Sequence, residues 1–325
     1  MRRLLLAAAL AASGCATAPQ TIVAGDPACV LEAGDKGWLT RAPEVWPLVS
    51  HNIYKLAPPD PHVTYVLFDA KCSFTSKDAR NWSATAHDGQ VALPDGQKMP
   101  AQVTSFAAPA PDGSAMMVMG LPTIWRAGNV SSEMGLEPLM YAVLAHEMTH
   151  TRQFPDYGPR IDALAAATGI GEDMTDDIIQ DKLASNAEFA ASVERERDLL
   201  FAAAAETDDA RAKALAAEAQ TLIAARRSKW LVGENAPLAE LEDIFLTMEG
   251  AGQFSGFAWL SNSDGGGLDR PAALKGMRRG KRWSQDLGLA LFMALDRLAP
   301  GWPTQVFAAQ PKSALILLTG VARPS

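Results

Sequence analysis

The sequence contains few cysteines, few histidines and no long run of basic residues. Three of its 325 residues are cysteine and five are histidine, and its formal net charge is −8. Because phosphate backbones are bound by clustered lysines and arginines, this acidic balance argues against nucleic acid as a partner. Hydrophobic residues nevertheless make up 48% of the chain, which is enough to bury a sizeable core. Length alone permits one large domain or two small ones.

The first residues have the pattern of an export signal. Residues 1–3, Met-Arg-Arg, are positively charged, and the apolar run over residues 4–12 is too short to span a bilayer. This run ends in Ala12-Ser13-Gly14-Cys15, which resembles the lipobox of bacterial lipoproteins. An ordinary secretory signal with a chance cysteine is the alternative interpretation.

The lipobox resemblance implies where the mature chain begins and where it is held. Residues 1–14 would be the signal peptide, and Cys15 would carry the lipid that anchors the chain to a membrane. Ala16 stands where inner-membrane lipoproteins tend to have aspartate, so it favours the outer membrane, with the protein facing the periplasm. Residues 15–37 are rich in alanine, glycine, proline and threonine, and they are predicted to be a tether.

Cys29 and Cys72 are the two cysteines outside the lipobox. An even pair in an exported chain predicts a disulfide. The bridge would close a loop of about 40 residues and would stabilise the fold by roughly 2–4 kcal/mol. Two buried free thiols are the alternative.

Residues 38–325 are predicted to form one α+β domain. Its first part, 38–134, is predicted to be a β-rich lobe, and its second part, 135–325, a mainly helical lobe. Residues 62–68 are a β-branched and aromatic run that follows prolines, and residues 115–120 are a second apolar run. Both runs are predicted to be strands.

Helix-favouring segments follow from Leu136 onward. Two alanine-rich and charged segments, 176–205 and 208–231, are predicted to form an antiparallel helical hairpin with Thr207 as the N-cap between them. The remaining predicted helices cover 238–260 and 283–298.

The segment His146-Glu147-Met148-Thr149-His150 carries the strongest chemical signal. Histidines four residues apart lie on one face of a helix, so both imidazoles can bind one tetrahedral zinc ion. Glu147 is rotated about 100° from the first histidine, and from there it can take a proton from a zinc-bound water without binding the metal. With five histidines in the chain, chance would produce this pattern about once in a few hundred such chains. The alternative is a helix whose histidines bind surface carboxylates.

Residues 145–150 resemble the active-site helix of zincin metallopeptidases. The resemblance implies that His146 and His150 are zinc ligands and that Glu147 is the general base. It also implies a zincin-like fold, zinc as the cofactor, and a peptide or protein as the substrate.

A working zinc site needs a third protein ligand, and the residues after the motif narrow the choice. Metzincins have glycine at the position of Gln153 and histidine at the position of Asp156, so that subgroup does not fit. A smaller group of zincins uses aspartate at the place of Asp156, which keeps this residue a candidate. Gluzincins instead take a glutamate from a later helix.

Glu249 is the preferred third ligand. Residues 245–254 resemble the glutamate–glycine helix that carries this ligand in several gluzincins. On a helical wheel Glu249 shares an inward face with Gly252 and Gly256, and a carboxylate on such a face needs a cation or a donor. Each glycine costs about 1 kcal/mol in a helix, which is expected where the motif helix must approach closely.

Four other glutamates stay open as third ligands. Glu188 falls on a solvated face, and Glu194 is expected to form an ion pair with Arg197. Glu172 lies in a glycine-rich turn. Glu242 lies two turns before the preferred ligand on the same face, where it would either support that ligand or replace it.

Several other residues have two interpretations. Tyr157 follows the motif closely, so it is either a helper of the metal site or an ordinary loop residue. The strand at 115–120 either lines the cleft as a sheet edge that binds substrate or is a plain core strand. His51, His62 and His87 are predicted to be surface or core histidines rather than ligands.

Together these features predict a lipid-anchored zinc peptidase of the cell envelope. The alternative is a non-catalytic zincin-fold lipoprotein that serves as a binding or assembly module. The presence of Glu147 favours the enzyme, because a pure binding module has no need of this base.

Overall fold

The computed structural model describes residues 22–58, 60–171, 174–278 and 281–322. It shows an α+β fold that combines one mixed six-stranded sheet with a larger helical part. The predicted signal peptide and the predicted lipidation site Cys15 lie outside the described residues, and so does the candidate ligand Glu172.

The main sheet has the strand order β1-β4-β3-β2-β8-β7, and a separate hairpin pairs β5 with β6. Two neighbouring pairs in the main sheet, β1 with β4 and β2 with β8, are parallel, and the others are antiparallel. The strands are β1 Ile22–Gly25, β2 Val63–Phe68, β3 Cys72–Ser76, β4 Asn81–Ala86, β5 Gln90–Ala92, β6 Lys98–Pro100, β7 Ser105–Pro109 and β8 Ala115–Gly120.

The predicted strand at 115–120 is confirmed as β8, and of its two interpretations the core strand fits, whereas the sheet edge does not. It lies between β2 and β7, and all six of its residues are buried. Its methionines therefore pack in the core. The edge strand on this side is β7, whose short Ser-Phe-Ala-Ala-Pro sequence gave no strand signal.

The predicted disulfide is confirmed, and it changes the interpretation of the N-terminal segment. Cys29 is bonded to Cys72 at the start of β3, and β1 pairs with β4. The predicted tether over 15–37 is therefore wrong in its described part. The β-branched pair Ile22 and Val23 forms a strand there because β4 offers it a partner edge.

A helix, α1, covers Ala33–Pro47, and a π-helical turn follows over Leu48–Ile53. The prediction of a β-rich lobe from residue 38 is therefore wrong up to residue 53. The buried residues of α1 recur at helical spacing, but Pro43 and Pro47 lie inside the helix and interrupt the pattern. These buried residues include Trp38, Leu39, Ala42, Val45 and Trp46.

The long helices of the helical part lie where the sequence predicts helices. The helices are α2 Pro122–Ala127, α3 Leu136–Thr168, α4 Ile178–Leu183, α5 Ala187–Ala205, α6 Asp209–Trp230, α7 Ala236–Ser261, α8 Arg270–Met277, α9 Trp283–Leu298, α10 Pro303–Val306 and α11 Ala314–Ala322. The predicted hairpin corresponds to α5 and α6, with the short α4 as a separate element before it. None of the described helices is long and apolar enough to cross a membrane.

The N-cap inside the hairpin differs from the prediction. Asp208, rather than Thr207, precedes α6, and its carboxylate accepts a hydrogen bond from the backbone N–H of Arg211 at 2.8 Å. Thr207 lies one residue too early, since an N-cap side chain must reach the N–H two or three residues ahead.

Candidate metal centre

The metal motif lies in the middle of α3, on the part of this helix that is buried in the core. The apolar residues before the motif anchor the helix there, and the motif histidines face α7. His146 and His150 are 8% and 7% exposed, so their side chains face neighbouring elements rather than water. The predicted helical placement of both histidines is confirmed.

Glycines on α7 allow the two helices to approach closely, as the sequence predicted. A Cβ atom on Gly252 would lie 2.7 Å from Nδ1 of His146, and one on Gly256 would lie 2.9 Å from the carbonyl oxygen of Ala142. Either contact is too short for a side chain. The glycines therefore let α7 bring its own polar residues up to the motif.

Three side chains meet between α3 and α7. Nε2 of His146 and Nε2 of His150 are 2.9 Å apart. The carboxylate of Glu249 lies 3.3 Å from the first nitrogen and 3.1 Å from the second. These three residues, which we call the triad, form the one cluster among the described residues with the composition and spacing to hold a metal ion.

The spacing of the triad fits a tetrahedral zinc site. Two ligand atoms that each lie about 2.0–2.1 Å from a tetrahedral ion are about 3.3 Å apart. The two nitrogens are 2.9 Å apart, and they lie 3.3 and 3.1 Å from the two different oxygens of the carboxylate, so the three side chains are close enough to share one ion. Three protein ligands also leave a fourth position for water or substrate, which is the arrangement of catalytic zinc sites.

The triad is a strongly polar group in an apolar surrounding. Burial by itself would lower the pKa of His150, but the carboxylates of Glu249 and Glu147 raise it to about 9. Burial would likewise raise the pKa of Glu249, yet the two histidines hold it well below its usual range. The site therefore keeps a buried carboxylate charged and favours positive charge beside it.

Gln153 orients His150. The Nε2 group of Gln153 donates to the carbonyl oxygen of Thr247 at 3.5 Å, so its Oε1 faces Nδ1 of His150 at 3.0 Å. Because Oε1 can only accept, Nδ1 carries a proton, and Nε2 is the ring nitrogen left to bind a metal. The residue that departs from the metzincin pattern thus has a role of its own at the site.

Gln285 on α9 holds the third candidate ligand. Its Nε2 group donates to the carboxylate of Glu249 at 3.2 Å. The carboxylate therefore has partners on both α3 and α9, so three helices define its position. No pattern in the sequence indicated this residue.

Glu147 is buried beside the triad and is not one of its members. It is 8% exposed, and its charge contributes to the raised pKa of His150. Its position next to the ligands, but outside the cluster, is what the sequence predicted for a base.

The other predicted third ligands lie away from the triad. Asp156 is half-buried further along α3, and Glu188 forms an ion pair with Lys229 on an exposed face. Glu194 is exposed, and its predicted ion pair with Arg197 is wrong. That arginine pairs with two aspartates instead, Asp198 and Asp286.

Glu242 belongs to a second buried ionic cluster, which the sequence did not reveal. Its carboxylate lies 2.6 Å from Nη1 of Arg226, and the same guanidinium lies 2.8 Å from Glu196. The side chain of Arg227 lies 3.2 Å from the other oxygen of Glu242. Glu242 is thus committed to the hairpin, so neither of its predicted metal-site roles, support or ligand, is borne out.

Asp176 is a further residue that the sequence reasoning missed. Burial, together with the charges of Glu249 and Asp177, raises the pKa of Asp176 to about 6. It therefore lies within electrostatic range of the triad. Its neighbour Asp177 is held by Ser284 and Arg282.

The remaining candidates are structural. Tyr157 is part of α3, and its buried ring packs against Ile244 and Met248. His51 forms an ion pair with Asp60, 2.9 Å away. His62 lines a cleft, and His87 accepts a hydrogen bond from the N–H of Gly89 at 3.1 Å.

An open cleft of about 900 Å³ runs beside α3 directly after the motif. Its walls include Thr151 and Phe154 of α3 and the first residues of β2 and β8. The ring of Phe154 lies 6.3 Å from the ring of His150, centroid to centroid. This aromatic contact connects the cleft wall to the triad.

Comparison of the chain with family models, with curated proteins and with solved structures found no match. The geometry and chemistry of the site therefore carry the functional argument by themselves.

Proposed function

We propose that this chain is a zinc-dependent peptidase with a zincin-like fold. The observation that carries the proposal is the convergence of two histidine nitrogens and one carboxylate, from two helices, at the separations of a tetrahedral zinc site. The buried Glu147 beside them adds the base that a hydrolase needs and a purely structural zinc site does not.

Each residue of the site has a separate role in this proposal. His146, His150 and Glu249 would hold the zinc. When bound, zinc supplies a Lewis acid and makes a water molecule acidic enough to lose its proton near pH 7. The carboxylate of Glu147 would accept a proton and pass it to the leaving amine, while Gln153 would orient one histidine ligand.

The proposal extends to the cell envelope. The lipobox at 12–15 supports a lipid anchor on Cys15, in an outer membrane and facing the periplasm. The disulfide between Cys29 and Cys72 agrees with an oxidising compartment. The substrates would then be peptides or proteins of the envelope.

The experiment is a parallel measurement of zinc content and hydrolysis of an unfolded protein for the wild type and for Glu147→Gln. We expect both proteins to carry stoichiometric zinc, because Glu147 is not a ligand. Hydrolysis should fall by about 10²–10⁴-fold in the variant, since it loses general base catalysis. The matched control is Glu188→Gln, which changes an exposed glutamate paired with Lys229 and should leave both readouts unchanged.

Two outcomes would contradict this proposal. A wild type that binds stoichiometric zinc but hydrolyses none of the unfolded proteins tested would favour the non-catalytic binding module. A wild type that binds no zinc would overturn every metal-based account of the triad.

A further inference from the structure

A chain of buried hydroxyl groups connects the two helices that carry the triad. Oγ1 of Thr149, a residue of the motif itself, lies 2.7 Å from Oγ of Ser255 on α7. The hydroxyl of Tyr54, which follows the π-helical turn, lies 2.8 Å from the same Oγ. Thr149 and Ser255 are fully buried and Tyr54 is 3% exposed, so no water competes for these contacts.

The hydrogen-bond capacity of Ser255 is used completely. Its hydroxyl donates to the carbonyl oxygen of Ala251 at 2.8 Å, and its two lone pairs accept from Tyr54 and Thr149. Burial raises the pKa of the Tyr54 phenol, so that group stays protonated and donates. The junction thus joins three separate parts of the chain at one oxygen atom.

Tyr54 is itself held firmly by its neighbours. Its ring packs against Phe254 of α7 and against Trp302 and Phe307, with centroid distances of 6.3, 5.1 and 5.9 Å. The preceding π-helical turn ends with a hydrogen bond from the N–H of Tyr54 to the carbonyl oxygen of Val49 at 2.9 Å. The hydroxyl therefore comes from a rigid support.

The same N-terminal segment contacts α3 again on the other side of His150. Asp60 lies 3.1 Å from the guanidinium of Arg152 and 2.9 Å from the ring of His51. The segment around the π-helical turn thus contacts α3 directly at Arg152 and, through Ser255, is connected to Thr149; these two positions flank a predicted zinc ligand.

We propose that Tyr54, Ser255 and Thr149 are positioning residues of the metal centre, whose hydroxyl chain fixes α3 against α7 so that Glu249 faces both histidines before metal binds. The inference rests on the proposed zinc binding but not on hydrolysis. Glycines let these helices approach closely. The hydroxyl junction defines the register that packing alone does not.

The chain offers a matched control for each variant. Thr149→Val removes the single hydroxyl proton that lies within reach of both Ser255 and the carbonyl oxygen of Ala145, and Thr168→Val removes a hydroxyl whose hydrogen bonds are local to the same helix. Ser255→Ala is matched by Ser261→Ala, whose hydroxyl bonds only Phe257 within α7.

Tyr54→Phe is matched by Tyr157→Phe. The hydroxyl of Tyr157 is buried and has no hydrogen-bond partner among the described residues. Both changes remove one buried hydroxyl, but only the first removes a hydrogen bond to Ser255, the residue through which α7 contacts Thr149 of α3.

The measurement is zinc affinity by competition with a chromogenic chelator, together with the visible absorption of the Co²⁺-substituted protein. We expect each of the three variants to bind zinc about 10-fold more weakly or worse, with altered Co²⁺ bands, because the ligands no longer converge. The three controls should stay within about two-fold of the wild type. Thr149→Ser keeps the hydroxyl and should restore both readouts.

The double variant Thr149→Val/Ser255→Ala adds a test of the chain as a unit. It should bind zinc no more weakly than the single variant with the lower zinc affinity, because either change alone breaks the same junction. If a threonine or serine variant fails to fold, the tyrosine pair decides the question by the same two readouts.

Zinc affinity and Co²⁺ bands that match the wild type in all three variants would overturn this inference and leave the proposed zinc site intact. Equal losses in variants and controls would overturn it too, because they would show a general effect of lost buried hydroxyls. A wild type without zinc would instead overturn the proposed function itself.

Discussion

The molecule contains two buried ionic clusters that differ in where their positive charge comes from. In the cluster of Glu196, Arg226 and Glu242, the chain supplies a guanidinium that bonds both carboxylates. In the triad, the ion-pair partners of Glu249 among the described residues are two histidines. Both clusters bury carboxylates in helical surroundings, so the difference lies in the cation.

The difference teaches how a structural cluster is distinguished from a metal site. A guanidinium stays charged at every accessible pH and fills the space between its partners, so the first cluster is complete within the fold. Imidazoles carry lone pairs when neutral, and in the triad these nitrogens point at one place together with a carboxylate. We therefore propose that the second cluster is arranged to hold an ion that comes from outside.

The largest expected effect is on zinc binding, and it is tested by removing one carboxylate from each cluster. Glu249→Ala should abolish stoichiometric zinc, because two histidines alone make an incomplete site. Glu242 lies two turns away on α7, so Glu242→Ala should keep zinc. This variant should destabilise the fold, because it leaves Arg226 partly unpaired. Zinc content and urea unfolding check both variants. Normal zinc affinity in Glu249→Ala would show that the third ligand is wrong.

Removal of Arg226, the cation of the first cluster, should have the next largest effect, which is a loss of folding stability. Arg226→Met leaves the buried carboxylate of Glu196 without its cation and Glu242 with Arg227 alone, and breaking a buried ion pair typically costs about 3–5 kcal/mol of folding free energy. Urea denaturation of the zinc-loaded protein measures this loss. An unchanged midpoint would mean that the cluster contributes nothing to the hairpin, and the comparison with the triad would fail.

Removal of the proposed zinc ion should destabilise the protein only through the triad. A chelator strips zinc from the site, and the protein then loses the stabilisation that zinc provides, about 2.7 kcal/mol when free zinc is 100 times the dissociation constant. We expect a lower Tm that returns when zinc is added back. The Glu249→Ala variant is the control, since its Tm should not respond to the chelator.

The smallest expected effect concerns the orientation of a ligand. Gln153→Met removes the hydrogen bond to Nδ1 of His150 and should weaken zinc binding by about 10–100-fold. Gln220→Met, which removes a hydrogen bond to Thr319 far from the motif, is the matched control. Equal zinc affinities in the two variants would contradict the role given to Gln153.

Local patterns made part of the fold predictable from the sequence. The helix at 283–298, the strand at 115–120 and the face of Glu249 all follow from spacing and composition over a few residues. Contacts between residues that are far apart in the sequence could not be predicted in this way. The strand at Ile22 depends on a partner that begins at Asn81, and the junction at Ser255 depends on a hydroxyl about 200 residues away.

Misleading local signals account for the remaining errors. Pro43 and Pro47 concealed α1, because proline normally ends a helix. Arg226 occurs in an alanine-rich, charged helix where a solvated face is the ordinary expectation, yet it is 1% exposed. Asp176 was interpreted only as the start of the hairpin, although burial and its neighbours couple it to the triad.

The central claim is that His146, His150 and Glu249 bind one zinc ion, and X-ray absorption at the zinc edge of the purified wild type tests it most directly. We expect one zinc per chain, with two imidazole nitrogens about 2.0–2.1 Å and a carboxylate oxygen about 2.0–2.2 Å from the metal. A protein without stoichiometric zinc, or a spectrum that lacks imidazole scattering, would contradict the account.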